Sequence, residues 1–510
     1  MKQLLSKKIG LIFIIVQFLI TIGLIGLVLY VDMLPAKYLL SAALILIFIL
    51  LYTFFSQMSK RLYILGRVLS GIFCVVMVVG AGYLWKGYST INNMSDATVK
   101  VDELSVIVLN DDPAQTIDDA AGYSFGIIST LGREYTDSMI NSIQTDLNTT
   151  ITTVEYEDMY SLVDSLYEKK VGAIIFNEAY RGSVKEENHE NFDTETRVLG
   201  NHQIETVVEV EETGDNNEDL KKPFIMYLSG IDTYGELAKT SRSDVNIIAV
   251  VNPETAQILL VNTPRDYYIP LSISNGVCDK LTHAGIYGVD VSIETLEMLY
   301  DIDIDYYVRV NFSGLKEIVD SLGGVKVYSD VAFTSDWGPS FKKGYNNVNG
   351  KEALAFCRER HHLESLGGDR QRGRNHQHMI SAILDKATSP KIITKFSKLM
   401  NSLEGAFETN MKTKKITRYV KFQMDETPAW NIESISVDGT GGHSYTYSVK
   451  SQKLWIMYPD ESTIEDAKKD IQTILDGKKL KQAKKDKDDS TDSKDDTDSS
   501  GSKNGTDSNE

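Results

Sequence analysis

Three long apolar runs fill the first 90 residues: Ile9–Val31, Tyr38–Phe55 and Val68–Trp85. Each is about long enough to cross a bilayer as a helix. None is followed by a small-residue cleavage site, so the segment reads as an anchor and not as a cleaved signal peptide. Lys2, Lys7 and Lys8 precede the first run, and Lys60, Arg61 and Arg67 lie between the second and third. Between the first and second stand only Asp32 and a single lysine, Lys37. Basic loops stay in the cytoplasm. The pattern therefore predicts a multi-pass protein of the cell membrane, with its N-terminus cytoplasmic and everything after Trp85 outside.

The outer part divides by pattern. Residues 91–215 read as a small α/β unit, with strands at Leu104–Leu109, Gly172–Phe176 and Thr206–Val210. Tyr135–Leu147 and Met159–Lys169 read as amphipathic helices, and Glu186–Glu195 as an acidic loop. This unit carries no visible catalytic constellation and reads as a spacer or docking domain. Thr213–Lys222, TGDNNEDLKK, has the composition of a linker. Residues 223–475 are strongly α/β. Phe224–Leu228 is an apolar strand, and Val245–Val251 and Gln257–Val261 form a hairpin around Asn252-Pro253-Glu254. Leu296–Tyr300 and Leu315–Leu322 have helical apolar spacing, and Val325–Tyr328 is a strand after Gly323-Gly324. A mixed β-sheet flanked by helices is the expected architecture. After about residue 476 the chain becomes a tail, and from Lys478 it is Lys, Asp, Ser and Thr with almost no apolar residue, so it is expected to be disordered.

The net charge of −18 excludes a general nucleic-acid binder, which would carry a basic surface. No Cys/His spacing suggests zinc. Cys278 and Cys357 are open to a disulfide or to two reduced thiols.

One segment stands out against the acidic background. Gly350–Met379 reads GKEALAFCRERHHLESLGGDRQRGRNHQHM. Lys351–Arg360 has the composition of a short helix, and Gly367-Gly368 breaks the chain. Asp369 then stands where a first-turn carboxylate would, with a helix expected to run to Lys386. At 3.6 residues per turn Asp369, Arg372 and His376 share a face, which Ile380 and Ile383 continue. A carboxylate, an arginine and an imidazole at a helix N-terminus suggest a buried anion site. Arg358, Arg360, Arg370 and Arg374 crowd the same region.

Further Arg–Asp pairs stand at strand ends. Asp232 follows the first strand, Arg242 and Asp244 precede the second, and Arg265 and Asp266 follow the third. Residues i and i+2 entering a strand share a face, so Arg242 and Asp244 can point to one site. Taken singly, each pair reads as a surface salt bridge. Together they offer carboxylates for a hard cation and arginines for phosphate oxygens. That is the equipment of phosphoryl transfer.

The order GID, SRSD, TPRD, KLTHAGIYG, DYYVRVNF, IVDSLGGV, ALAFCRER and GGDRQRGRN resembles the LytR–CpsA–Psr family over roughly residues 224–390. Three spans followed by an accessory domain resemble its streptococcal, capsule-type branch. The resemblance implies a phosphotransferase that moves an anionic glycan (capsular polysaccharide or a teichoic-acid-like polymer) from a polyprenyl pyrophosphate to a peptidoglycan hydroxyl, releasing polyprenyl phosphate. By matched motif, Asp244 and Asp369 would serve Mg²⁺, or Mn²⁺, with Asp232 the weaker candidate. Arg242, Arg265, Arg360 and Arg372 would hold the pyrophosphate, with Arg358, Arg374 and Lys280 second in rank. The sequence departs from the family where many members have glutamine: His376 stands there and Gln377 follows. The implied partners are the lipid-linked glycan, peptidoglycan, the membrane and other capsule or wall assembly proteins. The apolar faces of Leu296–Tyr300, Leu315–Leu322 and Ile380–Leu384 are candidates for a lipid tunnel.

Two other functions use the same residues. One is a membrane-bound regulator that senses polyprenyl-linked glycan, although cytoplasmic pieces of about ten residues leave little room for a signalling domain. The other is a polyprenyl-pyrophosphate hydrolase, with water replacing the sugar hydroxyl.

Overall fold

The structure is a computed structural model that describes residues 2–59, 61–95, 99–207, 219–231, 237–389 and 406–480. Asp232, most of the linker and the tail beyond Leu480 lie outside the described residues. The chain opens with three helices, Lys2–Val31, Ala36–Met58 and Tyr63–Ser95. All three are long and apolar enough to cross a membrane.

A five-stranded sheet follows, in the order 152–156, 124–128, 173–177, 99–109, 196–207. Its first three strands run parallel, and Val99–Leu109 pairs antiparallel with both of its neighbours. Here the edge strand Thr196–Val207 begins ten residues earlier than Thr206, and 208–210 lie outside the described residues. The expected acidic loop at Glu186–Glu195 is different too. Arg181–Glu187 and Phe192–Glu195 are short helices. Val184 and Phe192 are buried in the core beneath them, and apolar anchoring of this kind prevails over the acidic composition.

The main sheet has six strands in the order 407–409, 306–310, 224–231, 243–252, 257–263, 431–436. The pairings of 306–310 with 224–231 and of 431–436 with 257–263 are parallel, while the three central strands pair antiparallel with one another and the edge strand 407–409 pairs antiparallel with 306–310. Side chains alternate across a strand, and the two faces have different fates. Ile225, Tyr227, Ile248, Val250, Leu259 and Val261 pack against the helices Val289–Tyr300 and Glu461–Leu475 as a closed core. Leu296 and Tyr300 belong to that core, so this helix lines no tunnel. On the opposite face Met226, Leu228, Ala249 and Ile258 look toward the helix Asp369–Ala387. The final described residues also rest on the main unit: Gln257 donates to the Lys478 carbonyl at 3.2 Å, and Leu480 packs on the core.

The two sheets are locked together. Asp158 caps its own helix at Ser161 N and also accepts from the backbone of Lys450 and Ser451 at 2.8 and 2.6 Å. Thr240 donates to buried Asp102 at 2.9 Å, and Lys239 pairs with Glu103 at 2.8 Å. These contacts fix where the helix Arg181–Glu187 meets the main unit. All three cysteines are free thiols, so the disulfide alternative is not realised.

Candidate active site

The helix Asp369–Ala387 begins after Gly367 and Gly368, whose φ angles of +92° and +47° lie in the left-handed region that glycine tolerates best. From its first turn onward, Arg372, His376, Ile380, Ile383, Leu384 and Ala387 all face one cavity of about 1790 Å³. At 1.5 Å per residue the lining from Arg372 to Ala387 runs roughly 22 Å. The opposing wall is the half-buried sheet face, Met226, Leu228, Ala249, Val251 and Ile258. Leu315, Ile318 and Leu322, from the helix beginning at Phe312 and its C-terminal end, complete it, so this candidate face does line the cavity. The cavity is polar at one end and greasy along its length.

The greasy end lies by the membrane helices. Phe407, Ile416 and Val420 line the cavity and also pack with Leu27, Val31, Met33 and Tyr88. Lys421 pairs with Asp32 at 2.6 Å and Asp425 with Lys37 at 2.8 Å. The loop between the first two apolar helices is thereby tied to the tunnel wall.

The polar end is an ion network. Arg265 is only 3% exposed at its side chain and lies 2.8 Å from Asp244 and 2.6 Å from Glu186. Arg242 and Arg360 reach the same Glu186 carboxylate at 2.6 and 2.9 Å. Gly285 lets the backbone of Ser241–Ser243 come this close: a Cβ there would stand 2.7 Å from Ser241 O and Ser243 N. Below, Ser243 Oγ bonds Ser229 and Tyr227 at 2.8 and 3.0 Å, which anchors the strand start. Arg372 pairs with Asp369, and both line a second, smaller cavity of about 140 Å³ with Asp244, Arg265 and His376. Burial would raise the Asp244 carboxyl, but the charges of Arg265, Arg242 and Arg372 outweigh it and hold it well below the usual range. It stays ionised at any physiological pH.

The other expected site residues are placed differently. Arg358 lines the large cavity with its guanidinium 4.4 Å from the Phe312 ring centre and 4.5 Å from that of Trp337. Arg374 lines the small cavity and bonds Gln371 at 3.0 Å. Lys280 sits outside both cavities, paired with Asp266 at 2.7 Å. Gln377 points away from the anion site: its amide donates to the carbonyls of Leu260 and Ile435 at 3.1 and 2.6 Å, bridging two strands. His376 bonds the Cys357 carbonyl through Nε2 at 2.9 Å. Burial, with Arg372 beside it, pushes its pKa down to about 4. The single N–H of the neutral ring is thus engaged by that carbonyl, and the imidazole faces the cavity without a donor for phosphate.

Glu186 is the site residue that sequence reasoning missed. Among carboxylates and imidazoles, Asp336, Glu359 and His362 also bring ligand atoms within 4.8 Å of one another, a group able to hold a divalent metal. The Glu359 carboxylate in that group already accepts from the backbone N–H groups of Asp336, Arg360 and His362 at 2.8, 3.1 and 3.0 Å. For the expected pair, Asp244 and Asp369, the fit is chemical: both are hard oxygen donors on one small cavity, beside arginines that suit phosphate.

A sheet-walled apolar tunnel thus ends in buried arginines and carboxylates, a shape and charge pattern suited to an apolar chain with an anionic head. The LytR_cpsA_psr family matches residues 174–470, more than half of the chain, and the chain belongs to that family. TagU of Bacillus subtilis, named a polyisoprenyl-teichoic acid–peptidoglycan teichoic acid transferase, is 32% identical over 258 residues, covering 50% of this chain and 79% of TagU. The Bacillus licheniformis protein of the same name is 37% identical over 194 residues, 38% of this chain and 61% of its own. The crystal structure of B. subtilis TagV aligns with a TM-score of 0.43 at 28% identity, over 50% of this chain and 98% of that one.

Proposed function

We propose that this chain is a phosphotransferase of the cell envelope. It would take a glycopolymer from a polyprenyl pyrophosphate and join it to a peptidoglycan hydroxyl through a phosphodiester, releasing polyprenyl phosphate. One observation carries this reading: a long apolar cavity runs from the membrane helices to a cluster of buried arginines and carboxylates. A tail in the tunnel and a diphosphate on Arg242, Arg265, Arg360 and Arg372 use both ends of it. The name of the B. subtilis relative points to the same chemistry.

In this reading residues 1–90 anchor the chain with the N-terminus cytoplasmic, 91–215 are an accessory domain, 223–475 are the catalytic unit outside the cell, and the tail begins at about 476. The arginines orient the diphosphate and balance charge that develops on its bridging oxygen. Asp244 and Asp369, with Asp232 a weaker candidate, would hold Mg²⁺ or Mn²⁺, which supplies Lewis-acid charge when bound. Asp244 also orients Arg265, at 2.8 Å, and accepts from Thr282 at 3.1 Å. Arg358, Arg374, Lys280, His376 and Gln377 act as supports of the pocket. Mass spectrometry of wall fragments tests the whole reading. A deletion strain should lose one phosphodiester-linked polymer from its peptidoglycan, and an unchanged wall would refute it. The orientation is tested separately with a thiol probe on Thr130→Cys, which should label in intact cells.

A further inference from the structure

The arginines proposed to grip the diphosphate already hold an anion. Glu186, from the helix Arg181–Glu187 of the first sheet's unit, places both carboxylate oxygens 2.6 Å from Arg265 Nη2. One oxygen also accepts from Arg242 at 2.6 Å and the other from Arg360 at 2.9 Å. Three guanidinium groups from three parts of the chain thus converge on one carboxylate, as they would on a phosphate. Burial would raise the Glu186 carboxyl, but Arg265 and Arg242 together overcome this and hold it well below its ordinary range. The neighbouring Glu187 takes another direction, toward Lys280 at 3.7 Å.

We propose that Glu186 is a built-in competitor for the diphosphate: it fills the phosphate position in the resting enzyme and swings out when substrate arrives. The inference rests on the anion-site reading above. Glu186 is suited to leaving, because its side chain stays 28% exposed while Arg242 and Arg265 are 6% and 3% exposed. A diphosphate carries more charge and more oxygens than one carboxylate, so it can displace Glu186. Polyprenyl phosphate, the product, competes less well and is expelled. The resting arginines also stay neutralised and closed to stray anions.

Binding of inorganic pyrophosphate to the full chain in nanodiscs, by calorimetry, tests this. If Glu186 holds the site at least nine-tenths of the time, apparent affinity is lowered about tenfold or more. Glu186→Gln should therefore tighten pyrophosphate about tenfold or more, and Glu186→Asp, with its shorter reach, should fall between. Glu187→Gln removes the same charge without vacating the arginines and should shift affinity less than about threefold. Equal gains from Glu186→Gln and Glu187→Gln would reduce the effect to general electrostatics and overturn the proposal. Weaker binding by Glu186→Gln, with Arg265→Ala still abolishing binding, would overturn it while leaving the anion site intact. Binding indifferent to Arg265→Ala would overturn the anion site itself, and the competitor with it.

Discussion

Replacing Arg265 by lysine keeps a positive charge and removes the fork. The native guanidinium spans two carboxylates at once, Asp244 through Nη1 at 2.8 Å and Glu186 through Nη2 at 2.6 Å. An ammonium is a compact point charge and reaches one of these positions. With substrate in place of Glu186, the lost contact is a donor to phosphate, made where the side chain is 3% exposed. Loss of one preorganised donor typically costs roughly 10²–10³ in turnover, or about 2.7–4 kcal/mol of transition-state stabilisation. An exposed ion pair would be worth about 1 kcal/mol at most and would leave the chemistry untouched. The assay is the rate of glycan transfer from a polyprenyl pyrophosphate donor to peptidoglycan, with melting temperature recorded alongside. A folded Arg265→Lys enzyme within threefold of the native rate would refute the reasoning, because it would show that Arg265 grips no reacting phosphate.

Three more outcomes follow from the geometry. Asp244→Asn and Asp369→Asn should each weaken Mg²⁺ dependence roughly tenfold or more, read from turnover against metal concentration; native turnover that persists in excess EDTA would remove the metal. Leu315→Trp should fill the tunnel: at about 0.8 kcal/mol per buried CH₂, excluding one five-carbon isoprene unit weakens the lipid substrate by about 10² or more, while inorganic pyrophosphate binding should not change. His376 has a folded value near 4 against 6.5 for the free ring, so it refuses a proton that the unfolded chain accepts. Stability should therefore fall as pH drops from about 6.5 to about 4, by about 3 kcal/mol as an upper bound. His376→Gln should flatten that part of the stability curve, and an unchanged slope would place the acid sensitivity elsewhere.

The sequence exposed the main sheet because its strands alternate or run continuously apolar, and the site helix because Gly367-Gly368-Asp369 marks its start. The face through Arg372, His376, Ile380 and Ile383 followed from helical spacing alone, since a helix fixes which residues line up. Periodicity identifies an apolar face but not what it faces. Leu296 and Leu315 carry the same signal, yet one packs in a closed core and the other lines a tunnel. One position decides the fate of His376 and Gln377: a step of about 100° around the helix turns the first to the cavity and the second to the sheet edge. Glu186 was hidden for a different reason. It sits in an acidic stretch with Glu187 and Glu190, and no local pattern distinguishes the carboxylate that meets Arg265 from those that do not. Its role arises from the docking of two sheets, which is long-range information.

The most direct test uses the purified full chain in nanodiscs with a polyprenyl-pyrophosphate-linked glycan and peptidoglycan fragments. Muramidase digestion and mass spectrometry then measure glycan joined to muropeptide, and the lipid fraction measures polyprenyl phosphate. A phosphodiester-linked muropeptide and polyprenyl phosphate should appear in equal amounts, both lost in Arg265→Lys. Polyprenyl phosphate released with free glycan phosphate and no linked muropeptide would make the chain a hydrolase, and tight donor binding with neither product would make it a sensor; either result would contradict the transferase assignment.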